Sequence, residues 1–308
     1  VRTSGFLIHY NAKFYIAQSL LSGIEREDES MRYELQKKVE RSIKLIQSAV
    51  KDGEVEVSYS GGKDSDVILE LAKMAGVKYR AIYKNTTIDP PGTIKHCKDN
   101  GVEILQPKES FFKIVERKGM PTRRARFCCE LLKEYKVMDK AIQGVRLSES
   151  SARRKRYSED DPIICRIYGS KKNHVSVILP ILGWNEKDVA EFIEERGIKC
   201  HPLYYDEQGK FHPERRLGCM ACPLRSDNGL AGYKAHPRLV VATIRALQKQ
   251  WETHPNIKSI QKFGSVYGFF ANNVFFNTYQ DWKNRDENMF EKMDWKAFLE
   301  DYFNVKLP

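Results

Sequence analysis

The sequence predicts an α/β fold, a parallel twisted sheet with helices on both faces. Two observations carry that expectation. Short β-prone runs alternate with amphipathic helical stretches through the middle of the chain. One of those runs ends in Ser-Gly-Gly-Lys-Asp-Ser, Ser60 to Ser65, directly before a helical stretch. There is no internal repeat and no low-complexity tract that would point to a solenoid or a disordered chain.

Taken in order, Asn11 to Ala49 reads as helix, with Leu35, Val39, Ile43 and Ile46 at three- and four-residue spacing. Lys51-Asp52-Gly53 ends it, and Val55 to Ser58 reads as a strand. After the Ser60 to Ser65 loop, Val67, Ile68, Leu71 and Met74 give a helix that Gly76 closes. Tyr79 to Tyr83 is the second strand, Asn85 to Pro91 a turn-rich loop, Thr93 to Asn100 a short helix and Val102 to Leu105 the third strand. Ala141 to Val145 and Val175 to Leu179 supply later strands, and Glu186 to Glu195 a helix ended by Gly197. From about His236 the pattern changes to aromatics such as Trp251, Phe263, Phe270, Tyr279, Trp282 and Trp295, which predicts a helical appendage packed on the sheet domain. Core packing explains most of these rings, although rings among Lys and Asn can also stack bases. The resulting division is 1–50 as an N-terminal helical segment, 51–235 as the nucleotide-binding domain and 236–308 as the appendage.

Composition narrows the class. At 308 residues the chain can bury one large core or two modest ones, and 41% hydrophobic with 30% charged residues is ordinary for a globular protein. No run approaches the roughly 18 apolar residues of a membrane helix, and the opening residues lack the order of a secretory signal. Seven cysteines in such a chain predict reduced thiols serving metal or catalysis, a cytoplasmic location and no membrane partner. A net charge of +11 suits a polyanionic partner, with nucleic acid the usual one and a solvated basic surface the alternative. Basic residues concentrate at Arg123, Arg124 and Arg126 and again at Arg153, Arg154, Lys155 and Arg156.

Two constellations carry chemistry. In the Ser60 to Ser65 loop, Gly61 and Gly62 permit a tight turn and a close backbone approach to phosphate. The following helix start adds partial positive charge, and Ser60, Lys63 and Ser65 add donors. The adjacent glycines distinguish it from the GxxxxGK[ST] loop. The second constellation is Cys128-Cys129 with Cys219 and Cys222, four thiols able to converge on one metal centre if the fold joins the segments. Structural zinc prefers Cys-x₂₋₄-Cys pairs, so the vicinal pair suits it poorly. Buried thiols without metal are the remaining reading. Cys97, Cys165 and Cys200 have no paired spacing and are expected as buried small hydrophobes.

The SGGKDS loop resembles the PP-loop of the ATP pyrophosphatase and phosphoadenosine phosphosulfate (PAPS) reductase superfamily, whose fold is called adenine nucleotide alpha hydrolase-like. Four further blocks extend the likeness in the same order: Tyr83 to Thr93, Gly119 to Lys133, Gly144 to Arg154 and Leu179 to Ile193. A fifth, Arg216 to Leu224, completes it, and the likeness covers about Lys51 to Pro223. It implies that Ser60, Gly61, Gly62, Lys63, Asp64 and Ser65 bind the pyrophosphate part of a nucleotide, and that Tyr83, Asn85 and Thr86 border the adenosine. Gly144, Val145 and Arg146, with Ser148 and Glu149 following, would form the far wall. Arg146 and Arg153 would face the anionic group, as guanidinium chemistry suits. Lys63, Asp64 and Arg146 would be the catalytic group, with ATP and Mg2+ as ligands. Cys128, Cys129, Cys219 and Cys222 resemble the four-cysteine pattern that holds a [4Fe–4S] cluster in adenylyl-sulfate reductases, with nearby arginines offsetting its charge.

One departure separates the readings within that likeness. The sulfite-forming reductases use a nucleophilic cysteine on a C-terminal segment, whereas no cysteine follows Cys222 here. The intact SGGKDS loop goes instead with cleavage of ATP to AMP and pyrophosphate. The expected function is adenylation of an acceptor in sulfur transfer to nucleic acid, as in DNA phosphorothioation or tRNA thiolation. A sulfur donor such as a cysteine desulfurase would be a partner. A sulfonucleotide reductase and a non-catalytic nucleotide- or nucleic-acid-binding subunit are the alternatives.

Overall fold

In the computed structural model, residues 32–168, 173–276 and 293–308 are described. The first part of the expected N-terminal helix, Asn11 to Met31, and the rings of Tyr279 and Trp282 lie outside the described residues. Helix α1 (residues 32–50) leads into β1 (Glu54–Tyr59), α2 (Lys63–Ala75), β2 (Lys78–Lys84), α3 (Thr93–Asp99) and β3 (Glu103–Leu105). Two helices follow, α4 (Phe111–Lys118) and α5 (Phe127–Leu132), then β4 (Lys140–Ile142), α6 (Ser151–Arg156), β5 (Ile163–Tyr168), β6 (Asn173–Ile178) and α7 (Glu186–Glu195). The rest is helical: α8 (Leu230–Ala235), α9 (Arg238–Thr253), α10 (Lys258–Phe263), α11 (Val266–Phe275) and α12 (Trp295–Phe303).

The strands form one six-stranded sheet in the order β3-β2-β1-β4-β6-β5. Five of them are parallel, as the alternation of strands with helices requires. One edge adds an antiparallel strand to the expected parallel sheet. It is β5, registered from Ile163 opposite Ile178 to Tyr168 opposite Asn173. β4 also stops at Ile142, short of the expected Val145, where the chain bends and the Val145 N–H donates to the Gln143 carbonyl.

Two large apolar clusters build the interior. In the first, Leu35, Val39 and Ile46 of α1, Val67, Ile68 and Leu71 of α2 and Val189 and Phe192 of α7 pack with Val55, Val57 and Tyr59 of β1. Their spacing along each helix is what makes that possible, because residues three and four apart share a face. Gly76 closes α2 in the left-handed region, as its position predicts. The second cluster is made by the C-terminal helices together with α4: Ile114 and Val115 meet Val240, Ile244, Leu247, Phe270, Leu299 and Phe303. Burying each such side chain contributes about 1.5–3 kcal/mol, so the C-terminal aromatics sustain a core of their own. Leu132 and Ala221, neighbours of the cysteines, belong to this second cluster. Among the described residues no helix is long and apolar enough to cross a membrane.

Candidate functional site

The chain leaves β1 at Tyr59 and must turn within three residues to start α2 at Lys63. Gly61 does this at φ +79°, a conformation that L side chains avoid. A Cβ there would also stand 3.1 Å from Thr93 Cγ2 and 3.3 Å from Leu217 Cδ2. Gly62, at the helix start, carries no side-chain cap. Ser65 Oγ donates to the Gly62 carbonyl at 2.6 Å, and the Lys63 N–H donates to Tyr204 Oη at 3.2 Å. The loop is thus shaped by its own hydroxyls and by Tyr204. Gly144 presses against it from the β4 side, where a Cβ would stand 2.8 Å from the Asp64 carbonyl oxygen.

Four charged side chains gather beside this turn. Lys63 Nζ lies 3.1 Å from Glu186 Oε1 and 3.7 Å from Asp64 Oδ2. Arg146 puts Nε 2.7 Å from Asp64 Oδ1 and Nη2 2.8 Å from Glu186 Oε2. Both cations are buried. Burial works to raise the Glu186 carboxyl, but Arg146 and Lys63 outweigh it and hold it below the usual range. Sequence reasoning missed Glu186, although its place at the first residue of α7, in Gly-Trp-Asn-Glu, was the available signal. Arg153 is paired with Glu149. Arg153 to Arg156 lie on α6 rather than on a loop, capped by Ser150, with Arg154, Lys155 and Arg156 exposed.

A cavity of about 350 Å³ opens beside the loop, lined among others by Tyr59, Ser60, Tyr83, Gln143 and Tyr168. In its wall Lys84 Nζ donates to the buried Glu56 Oε1 at 3.0 Å. Tyr83 is therefore at the cavity, its hydroxyl bonded to Asp89. Asn85 and Thr86, the other two expected neighbours of adenosine, do not line this cavity. Asn85 donates to Gln106 at 2.8 Å and lines neither this cavity nor the next, while Thr86 is buried at the cysteines. Val145 packs against the apolar cluster of β5 and β6, leaving Gly144 and Arg146 as the wall residues that reach the loop.

Cys128 and Cys129 occupy the first turn of α5, and Cys219 and Cys222 the loop before α8. All four line one cavity of about 570 Å³, with Arg126, Lys133, Arg216 and Arg225 and no carboxylate among its lining residues. Cys219 Sγ–H donates to Thr86 Oγ1 at 3.5 Å, and Arg126 Nη2 lies 3.9 Å from Cys129 Sγ. A hydrogen bond from Cys128 pulls the Cys129 thiol down to about 6 against its burial, with Arg126 adding to the effect. The same bond pushes Cys128 up, and burial pushes Cys219 up. Lys133, Leu217 and Gly218 line both cavities, so the cavity beside the glycine loop and the thiol cavity adjoin across a common wall.

Glycines and one arginine position the second thiol loop. A Cβ on Gly232 of α8 would stand 1.9 Å from the Met220 carbonyl oxygen, and one on Gly229 3.0 Å from the Ala221 carbonyl carbon. Arg123 donates to the Arg225 carbonyl at 2.6 Å and to Asn228 Oδ1 at 2.9 Å, so its guanidinium holds this loop. Cys97 and Cys200 are buried as expected, but Cys165 is exposed on β5, 3.5 Å from His174 Nδ1. An edge strand turns alternate residues to solvent, which is why that expectation failed.

The donor set can be tested against the groups it would hold. Tetrahedral zinc draws four sulfurs to about 2.3 Å from one centre. Among the described residues, no three His, Cys, Asp or Glu side chains are grouped to hold a metal ion. Four thiols lining one cavity are ligands of the type that both zinc and an iron–sulfur cluster take. The four cations and the absent carboxylates suit the negative charge of such a group.

A family model described as the phosphoadenosine phosphosulfate reductase domain matches residues 54–225. An uncharacterized protein of Methanocaldococcus jannaschii is 32% identical over 183 residues, 55% of this chain and 41% of that protein. A glutamine-hydrolyzing GMP synthase subunit of Archaeoglobus fulgidus is 28% identical over 179 residues, 56% of this chain and 54% of that protein. The chain thus spans about half the length of the curated relatives it matches, or less. Among solved structures, the U34-tRNA thiolase NcsA from Methanococcus maripaludis with its [4Fe–4S] cluster is similar at a TM-score of 0.37 and 17% identity, over 72% of this chain and 82% of that one.

Proposed function

The chain belongs to the phosphoadenosine phosphosulfate reductase domain family, and from that premise we propose that it is an ATP pyrophosphatase that adenylates an acceptor for sulfur transfer to nucleic acid. The observation that carries the reading is the common wall of Lys133, Leu217 and Gly218 between a glycine-loop cavity and a cavity of four thiols and four cations.

In this reading the phosphates of ATP, with Mg2+, lie on the Ser60 to Ser65 backbone and the start of α2, where N–H groups and the helix dipole favour negative charge. Gly61 makes the turn that an L side chain would strain, and Gly144 lets the opposite wall close on Asp64. Tyr83 borders the adenosine. An acceptor oxygen attacks the α-phosphorus and the α–β bridge breaks, so pyrophosphate leaves with the electron pair. Lys63 and Arg146 balance the charge that develops on it, which is the electrostatic part of the catalysis. Asp64 holds Arg146 in place through the 2.7 Å contact. A sulfur nucleophile then displaces AMP from the acceptor. Cys128, Cys129, Cys219 and Cys222 would hold a [4Fe–4S] cluster, which supplies a redox-active, sulfur-binding centre. The exposed cations of α6 and Arg124 would meet the nucleic-acid backbone.

The test is pyrophosphate release from ATP by anaerobically prepared protein, with and without DNA or tRNA. Release that nucleic acid stimulates is the expected result, and absence of release under all conditions would overturn the reading. The family description itself favours a second reading, a sulfonucleotide reductase. Sulfite formation from PAPS or adenylyl sulfate with thioredoxin, at roughly one turnover per second or faster, would establish that one instead.

A further inference from the structure

The four charges beside the glycine loop sum to zero: Lys63 and Arg146 against Asp64 and Glu186. A polyphosphate arriving at the loop therefore meets two cations that are already matched. The two carboxylates are not equally fixed. The Asp64 side chain is 19% exposed and sits in the first turn of α2, whereas the Glu186 side chain is 44% exposed. Glu186 sets Oε1 3.1 Å from the Lys63 ammonium and Oε2 2.8 Å from the Arg146 guanidinium. Two oxygens on one centre, one for each cation, is the charge arrangement that a phosphate group would present.

The local fold also lets this carboxylate leave. The start of α7 is held by Asn185, whose side chain accepts from the Lys187 and Asp188 N–H groups, and by Asp188, which accepts from the Asn185 N–H at 2.7 Å. Glu186 takes no part in that capping box, so its side chain can turn to solvent without opening the helix.

We propose that Glu186 is a built-in occupant of the phosphate subsite, which competes with the nucleotide for Lys63 and Arg146 and is displaced by it. The inference rests on the reading of Ser60 to Ser65 as a phosphate loop and adds a specificity-determining residue to it. Displacement demands a ligand that satisfies both cations at once. Pyrophosphate and ATP meet that demand and adenosine does not.

Calorimetry with ATP, pyrophosphate and adenosine in EDTA, on wild type, Glu186→Gln, Glu186→Ala and Lys63→Ala, tests this. ATP and pyrophosphate should bind both Glu186 variants roughly 5- to 30-fold more tightly than wild type, as expected when a competing like charge is removed. Adenosine affinity should not change. Unchanged or weaker ATP binding by both Glu186 variants, with adenosine affinity intact, overturns the proposal. So does a loss that appears only when Mg2+ replaces EDTA, which would make Glu186 a metal ligand. If Lys63→Ala leaves ATP and pyrophosphate affinity at wild-type values, the phosphate-loop reading fails together with the proposal.

Discussion

The glycine loop and the thiol cavity handle charge differently. Beside the glycine loop, each buried cation already faces a carboxylate of the protein. Around the thiols, Arg126, Lys133, Arg216 and Arg225 line a cavity to which no Asp or Glu contributes. A matched set of charges is stable before the ligand comes and can exchange a carboxylate for a phosphate. Around the thiols, among the described residues, only Arg225 has a carboxylate close by, Asp227 at 3.4 Å and outside the lining. Arg126 lies against Cys129 instead, so the charge that faces the thiols favours an anionic occupant. The first arrangement suits a ligand that comes and goes, the second a resident group.

The contrast is most exposed to test at the thiols. Anaerobically prepared wild type should hold about four irons per chain, and Cys129→Ser or Cys222→Ser should lose nearly all of it. Stoichiometric zinc in colourless wild type would remove the distinction between resident and exchanging groups. On the other side, Lys63→Ala should weaken ATP roughly 10- to 100-fold, since it truncates one partner of a buried charged set. Its iron content should match wild type, and a parallel fall in iron would mean the two sides are not independent.

Smaller effects sharpen the comparison. Gly144→Ala places a Cβ 2.8 Å from the Asp64 carbonyl oxygen, and relieving that clash should cost about 1–3 kcal/mol of stability, read as a lower denaturation midpoint. A midpoint equal to wild type would show that the β4 wall does not press on the loop. Replacing Arg154, Lys155 and Arg156 together by Ala should flatten the salt dependence of nucleic-acid binding by up to about three units while ATP affinity is kept. An unchanged slope would leave α6 as solvated surface.

Local signals in the chain were enough for β1, α2, β2, α3, β3 and α7, whose apolar spacing and Gly76 stop are properties of neighbouring residues. The antiparallel edge was not legible in that way. Ile164, Arg166 and Tyr168 face inward and Ile163, Cys165 and Ile167 are the exposed set, so the run mixes apolar residues on both faces and hides its period of two. The PP-loop likeness also could not reveal Glu186. Its partners are distant in sequence, and a first-turn glutamate is an ordinary helix residue until the fold sets it against Lys63 and Arg146. Thr86 was legible as a residue near the site, but only the fold assigns its hydroxyl to Cys219.

The contact between Gly232 and Met220 bears on how such a chain is inherited. Because a side chain at Gly232 would overlap the Met220 carbonyl, the thiol loop and α8 have room for each other only as a matched pair. Leu132 and Ala221 extend that dependence into the helices that follow. Recombination that replaced the C-terminal helices with an unrelated set would keep the β1–α2 turn, which Ser65 and Tyr204 hold. It would not pass on a shaped Cys219–Cys222 loop. The thiol loop keeps its shape only together with its own C-terminal helices.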